Sequence, residues 1–267
     1  MSLLTATFTR TALATLVGFG CLAAAQAQTM APGVLKVGLE PTYPPFESYD
    51  GDKIVGFDPD MTALLAREMK LKPVLTDTKF INLVPGLAAN QHDAVISGLY
   101  ITPERMIQAD AIPYASTGAL IMVAKGSKNE PRTEKDLCGL KVGLQNGTSW
   151  VKQLETLSNE YCKANGKGAI TVMEFPTSPE ASQALMSRNI DAQVEIAGAA
   201  KKIVERTKGR VVVSSPDIVY PQTLGIYFKK GNTALKKAFE DALDAIRKTG
   251  EYDTLIKKYE LVPVAAK

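Results

Sequence analysis

Short β-branched runs alternate with helix-period stripes along almost the whole chain, the pattern of parallel sheets joined by crossover helices. "VLKVGLE", Val34 to Glu40, predicts a first strand, and "GFDPDMTALLAREM" a first helix. In that helix Asp58 is the candidate N-cap, Pro59 suits the first helical position, and Met61, Leu64, Leu65 and Met69 form the apolar stripe. "KPVLTD" and "DAVISG" predict strands around a helical "INLVPGLAAN", and "ALIMVAKG" a strand that runs into the polar "SKNEPRTEKD". From "GLKVGLQ" the plan starts again. A helix "TSWVKQLETLSNEYC" puts Trp150, Leu154, Leu157 and Tyr161 on one core-facing side. "AITVMEF", "DAQVEIAG" and "RVVVSS" predict strands, separated by a helix "SPEASQALMSRN", capped by Ser178 with Pro179 behind it, and by "AAKKIVERT". The tail is a strand, "QTLGIYFKKG", a helix with Leu235, Phe239, Ala242, Leu243 and Ile246 at helical spacing that stops at Gly250, and a last helix carrying Tyr252 and Tyr259. "LAANQHDAVISG" and "LMSRNIDAQVEIAG" share one plan, as two lobes of like topology would.

The first residues stand apart from this pattern. Arg10 precedes an apolar stretch, and Ala25 and Ala27 supply a small-x-small site, so residues 1–27 read as a secretory signal peptide cleaved after Ala27. A lipid anchor at Cys21 is the rival, disfavoured by Gly18 and Phe19 before it. No later run is apolar enough to span a membrane, so a soluble, exported mature chain without stable membrane insertion is expected. Its roughly 240 residues suffice for two modest lobes or one large α/β domain. Lys and Arg total 31 against 28 acidic residues in the full chain, with the charges scattered, which argues against nucleic acid or an anionic membrane as partner. Cleavage also removes Cys21 and leaves Cys138 and Cys162, an even pair that reads as a disulfide in an exported chain. With one histidine, His92, they make a poor metal set. No metal or cofactor is expected, and His92, in the polar turn "ANQHD", is expected at the surface.

Candidate chemistry begins at "DAVISGLYITPER". Thr102 and Pro103 start a helix, yet Arg105 falls in its first turn, where the helix dipole disfavours a cation. Two readings stand: a surface ion pair with Glu104 or Asp110, or a grip on an anion held in a bidentate fork. "QNGTSW" is either an ordinary N-cap or a second anion cradle, with Gly147 allowing close backbone approach and Thr148 or Ser149 opening a helix.

"LKVGLEPTYPPFE", "GFDPDM", "LVPGLAANQHDAVISGLYITPER", "DLCGLKVGLQNGTS" and "KTGEYDTLIKKY" together resemble the successive signatures of periplasmic polar amino-acid-binding proteins of ABC importers. The resemblance covers nearly the whole mature chain in the right order. It implies a type II periplasmic binding protein fold: two α/β lobes, each a mainly parallel sheet flanked by helices, joined by two crossover strands. Residues 28–119 with 220–267 would form one lobe and 120–219 the other. It also implies that Arg105 clamps the ligand's α-carboxylate while Thr148 and Ser149 donate to it from the opposite lobe. Tyr43 and Phe80 would sandwich the side chain, Ser97 and Gly98 would line the site, and Glu40 would read a basic ligand's far end.

Three positions bear on the ligand, the first being Gly98, which follows the kept Ser97 where the family often has Ser or Gly. Tyr100 stands where the family has a small hydroxyl residue, and Ile196 where it has the acid that holds the α-ammonium. Either Glu195 takes over, which in a strand needs a bulge, or the ligand has no amine. The expected function is a periplasmic solute-binding protein, monomeric, that captures a small carboxylate, an amino acid or related compound, and delivers it to an inner-membrane permease. The alternatives are a binder of amine-free organic or aromatic carboxylates and an enzyme resembling cyclohexadienyl dehydratases, with Glu195 as its acid. No nucleophile–base pair, metal spacing or phosphate loop supports catalysis, so a binding protein is expected.

Overall fold

Leu35, Val37 and Leu39 are fully buried along the strand Val34–Leu39, which sits between Lys72–Asp77 and Ala94–Val95 and runs parallel to both. A strand enclosed in this way needs apolar residues on its covered faces, as its sequence supplies. The computed structural model describes residues 29–265. The predicted signal peptide, with Ala27 and Cys21, lies outside the described residues.

One continuous sheet carries the fold. Its order is Lys72–Asp77, Val34–Leu39, Ala94–Val95, Val219–Lys229, Ala109–Ala124, Ala192–Ile196, Lys141–Gln145 and Thr171–Phe175, with Val211–Val213 also pairing to Ala109–Ala124. Strands within each end group are parallel, and the long central pair, Ala109–Ala124 and Val219–Lys229, is antiparallel. Ala119 is where the central strand changes partner, facing Val219 on one side and Ile196 on the other. Before it the strand runs along Val219–Lys229; after it, along Ala192–Ile196 and Val211–Val213. A small second sheet holds Thr42–Tyr43, Glu47–Asp50 and Lys53–Val55.

Helices cover the sheet by the stripes the sequence predicts. Thr233–Lys248 buries Leu235, Phe239, Ala242, Leu243 and Ile246, starts with the Asn232 side chain accepting from Leu235 N at 3.1 Å, and ends before Gly250, whose φ of 77° is left-handed. Cys138 and Cys162 form a disulfide across a sequence separation of 24. The predicted helix "TSWVKQLETLSNEYC" divides into an α-helix, Ser149–Leu157, and a π-helical turn, Ser158–Cys162, that ends at this bond.

Local expectations need correction at four places. The first helix begins at Phe57, with Gly56 as N-cap, because Asp58 turns its carboxylate inward to the Gly98 N–H and the Tyr114 hydroxyl, each at 2.6 Å. Thr177, not Ser178, caps the helix Ser178–Met186, since the Ser178 hydroxyl goes to Glu195. His92 is buried instead of exposed: its Nε2 is 2.8 Å from the Leu83 carbonyl, and its ring fills the room left by Gly38 and Gly86. The crossover strand starts at Ala109, ten residues before the predicted "ALIMVAKG".

Candidate ligand-binding cleft

Several parallel strands deliver their carboxyl ends to one place, where α/β sheets hold ligands. Val34–Leu39 leads to Glu40 and Tyr43, and Ala94–Val95 leads to Ser97, Gly98 and Tyr100. From the other side Lys141–Gln145 leads through Gly147, at a φ of 75°, into the helix Ser149–Leu157. Together they line a small pocket. Tyr43, Phe80, Gly98, Tyr100 and Arg105 line one side of it, and Gln145, Thr148, Ser149 and Trp150 the other.

Arg105 is held by local sequence. The Thr102 hydroxyl accepts from Arg105 N at 3.3 Å and caps the helix Pro103–Gln108, which fixes the arginine in the first turn. Its guanidinium donates to the Tyr100 carbonyl at 2.7 Å and, across the cleft, to the Gly147 carbonyl at 2.9 Å, and it lies 5.7 Å from the centre of the Phe80 ring. The two acids of the surface-pair reading are engaged elsewhere: Glu104 with Lys152 of the opposite side, and Asp110 with Lys230. Among the described residues no carboxylate lies within ion-pair distance of Arg105. Arg105 is half-buried, and this partial burial pulls its pKa below the ordinary arginine value.

Three predicted residues stand behind the lining. Glu40 accepts from the Gln145 amide and lies 3.7 Å from the Lys79 ammonium; burial raises its carboxyl. Ser97 donates to Glu47 at 2.6 Å and accepts from Glu40 N at 3.2 Å. Glu195 receives four donors: the Tyr43 hydroxyl from across the cleft, the Ser178 hydroxyl, the Gln193 amide at 3.2 Å and Ile196 N at 2.9 Å. Its strand has no bulge in its pairing with Ala119 to Met122. Glu195 points to Tyr43 while Ile196 is fully buried in the main apolar core. Burial raises the Glu195 carboxyl too.

Further features of the cleft escape the sequence reading. Gln145 and Trp150 line the pocket, although the helical period assigns Trp150 to a core stripe; its ring meets Tyr100 edge-on at 5.5 Å. The Thr148 hydroxyl donates to the Gln145 carbonyl at 2.9 Å and the Ser149 hydroxyl to Gln222 at 3.1 Å, so neither side chain caps the helix. Beneath Gly98 lies a buried acid pair. Burial pushes Asp58 up to about 6 and, aided by the Asp58 charge, pushes Glu47 well above the usual carboxylate range. One proton shared between them accounts for both.

Two α/β lobes meeting over a small pocket and joined by two crossover strands make a type II periplasmic binding protein fold. Residues 35–262 match the bacterial extracellular solute-binding proteins, family 3, and the chain belongs to that family. It is similar to the L-cystine-binding protein TcyJ of Escherichia coli (strain K12), 32% identical over 85% of this chain and 82% of the relative. It is also similar to ABC transporter arginine-binding protein 1 of the same strain, 30% identical over 83% of this chain and 88% of the relative. Among solved structures, the ancestral amino acid-binding protein AncCDT-1, a precursor of cyclohexadienyl dehydratase, superposes with a TM-score of 0.72 at 30% identity, covering 85% of this chain and 95% of that one. Among the described residues no helix is long and apolar enough to cross a membrane.

Proposed function

We propose that this chain is a periplasmic solute-binding protein that closes on a small carboxylate, an amino acid or a compound related to one, and delivers it to an ABC importer. The single observation that carries the ligand class is Arg105, a half-buried guanidinium in the cleft with no carboxylate of its own. The names of the relatives support amino-acid chemistry and an ABC transporter as the destination. The signal-peptide pattern supports export. The lobes divide at residues 119/120 and 219/220, a reading supported by the partner change at Ala119. Closure is a population shift: a ligand touching both sides stabilises the closed state, which the permease then receives as a monomer. Binding without turnover fits the cleft, because Glu195, the acid the enzymatic reading needs, has both oxygens engaged by protein groups.

The test is a thermal-shift and calorimetric screen of the purified mature protein against amino acids and other small carboxylates. At least one carboxylate should raise the melting temperature, and Arg105→Ala should abolish that rise. An unchanged rise in the variant would remove Arg105 from the site. Consumption of prephenate or arogenate with turnover would replace the binding reading with an enzymatic one.

A further inference from the structure

Two buried polar groups of the pocket lack a partner. Tyr100 is 4% exposed and Trp150 2%, and the Tyr100 hydroxyl and the Trp150 indole N–H are buried without a hydrogen-bond partner among the described residues. Both residues line the pocket beside Arg105. An indole N–H can only donate, and a guanidinium can only donate. Among the lining side chains none is a carboxylate. Of the acids behind the lining, Glu195 is taken by Tyr43, Ser178, Gln193 and Ile196 N, while Glu40 accepts from Gln145 with one oxygen and has the other 3.7 Å from the Lys79 ammonium, without a hydrogen bond. Where the family resemblance expects an ammonium-binding acid stands Ile196, fully buried in apolar contacts.

We propose that the ligand held at Arg105 has no ammonium group and is a small 2-oxo carboxylate, or its 2-hydroxy form, whose second oxygen meets Tyr100 and Trp150. This rests on the carboxylate reading above and narrows it. An ammonium would enter next to the Arg105 cation with no carboxylate in the pocket lining to balance it, whereas oxo and carboxylate oxygens accept from each of the three donors. The rings of Tyr43, Phe80, Tyr100 and Trp150 around the same space favour an apolar or aromatic remainder.

Calorimetry with matched sets, in which one carbon skeleton is presented as the 2-oxo acid, the L-amino acid and the plain carboxylate, tests this, with glycine betaine as a separate arm. The 2-oxo acid should bind at least about tenfold more tightly than either matched compound, and Tyr100→Phe or Trp150→Phe should remove about tenfold of that preference while leaving the plain carboxylate nearly unchanged. An L-amino acid or betaine that binds as tightly as the 2-oxo acid overturns the inference. If that binding still depends on Arg105, the carboxylate reading survives alone. If no carboxylate binds, or Arg105→Ala costs nothing, both fall together.

Discussion

Tyr43→Phe should weaken closure of the cleft without weakening the fold. The Tyr43 hydroxyl is the one donor to Glu195 that comes from across the cleft; Ser178, Gln193 and Ile196 N belong to Glu195's own side. When the lobes part, Glu195 keeps those three and the phenol is rehydrated, so the bond contributes to the closed state only. A hydrogen bond between neutral groups contributes about 0.5 to 1.5 kcal/mol net, and one to a charged group about 1.5 to 3. Taking about 1.5 kcal/mol, loss of the hydroxyl lowers the closed-to-open ratio about tenfold and raises a ligand's Kd by a similar factor. The ring stays, so packing against Phe46, with ring centres 5.8 Å apart, is kept. The assay is a double-mutant cycle of Tyr43→Phe and Glu195→Gln, read by calorimetry with whichever carboxylate binds and by spin-label distances between the lobes. Urea midpoints of the ligand-free proteins serve as the control. A coupling below about 0.5 kcal/mol, or a Tyr43→Phe loss that shows fully in the urea midpoint, would refute the reasoning.

Three further outcomes follow from the packing. Replacing Cys138 and Cys162 by serine removes a crosslink over a separation of 24 and should cost about 3 kcal/mol in urea unfolding, with added reductant then having no effect on the variant. Gly38→Ala would set its Cβ 2.8 Å from His92 Nδ1 and should cost about 1 to 3 kcal/mol, a cost that His92→Ala relieves when the two are combined. Asp58 is protonated more readily in the fold than in the unfolded chain, so its contribution is complete below pH 3.8 and is lost as the pH rises through about 6. Because Glu47 shares that proton, the loss belongs to the pair, and the wild type should lose stability relative to the Asp58→Asn, Glu47→Gln double variant as the pH rises through about 6, measured by unfolding at stepped pH.

Residues whose role is set by local geometry were open to inspection in the sequence. Thr102 and Pro103 define a helix start, and Arg105 stands in its first turn wherever that helix is placed. What escaped depends on partners distant along the chain. His92 reads as polar surface until Gly38, some fifty residues away, is seen to leave it space. Asp58 looks like a helix cap because the competing donors, Gly98 N and Tyr114, are remote in sequence. The crossover strand is hidden by Pro113, which interrupts the β pattern and sits opposite Gly225 beside a register shift, the setting in which a strand tolerates proline. Trp150 has the helical spacing of a core residue and is one, and the spacing does not reveal that its ring also meets Tyr100 at the cleft.

The pairing of the two crossover strands limits how the lobes can move. Because Ala109–Ala124 and Val219–Lys229 are hydrogen-bonded neighbours over most of their common length, one cannot twist without the other. Their connection therefore has one soft coordinate, a shared torsion near Ala119, instead of two independent joints. Opening and closing should then relax as a single exponential, with the same time constant wherever on either lobe a reporter is attached.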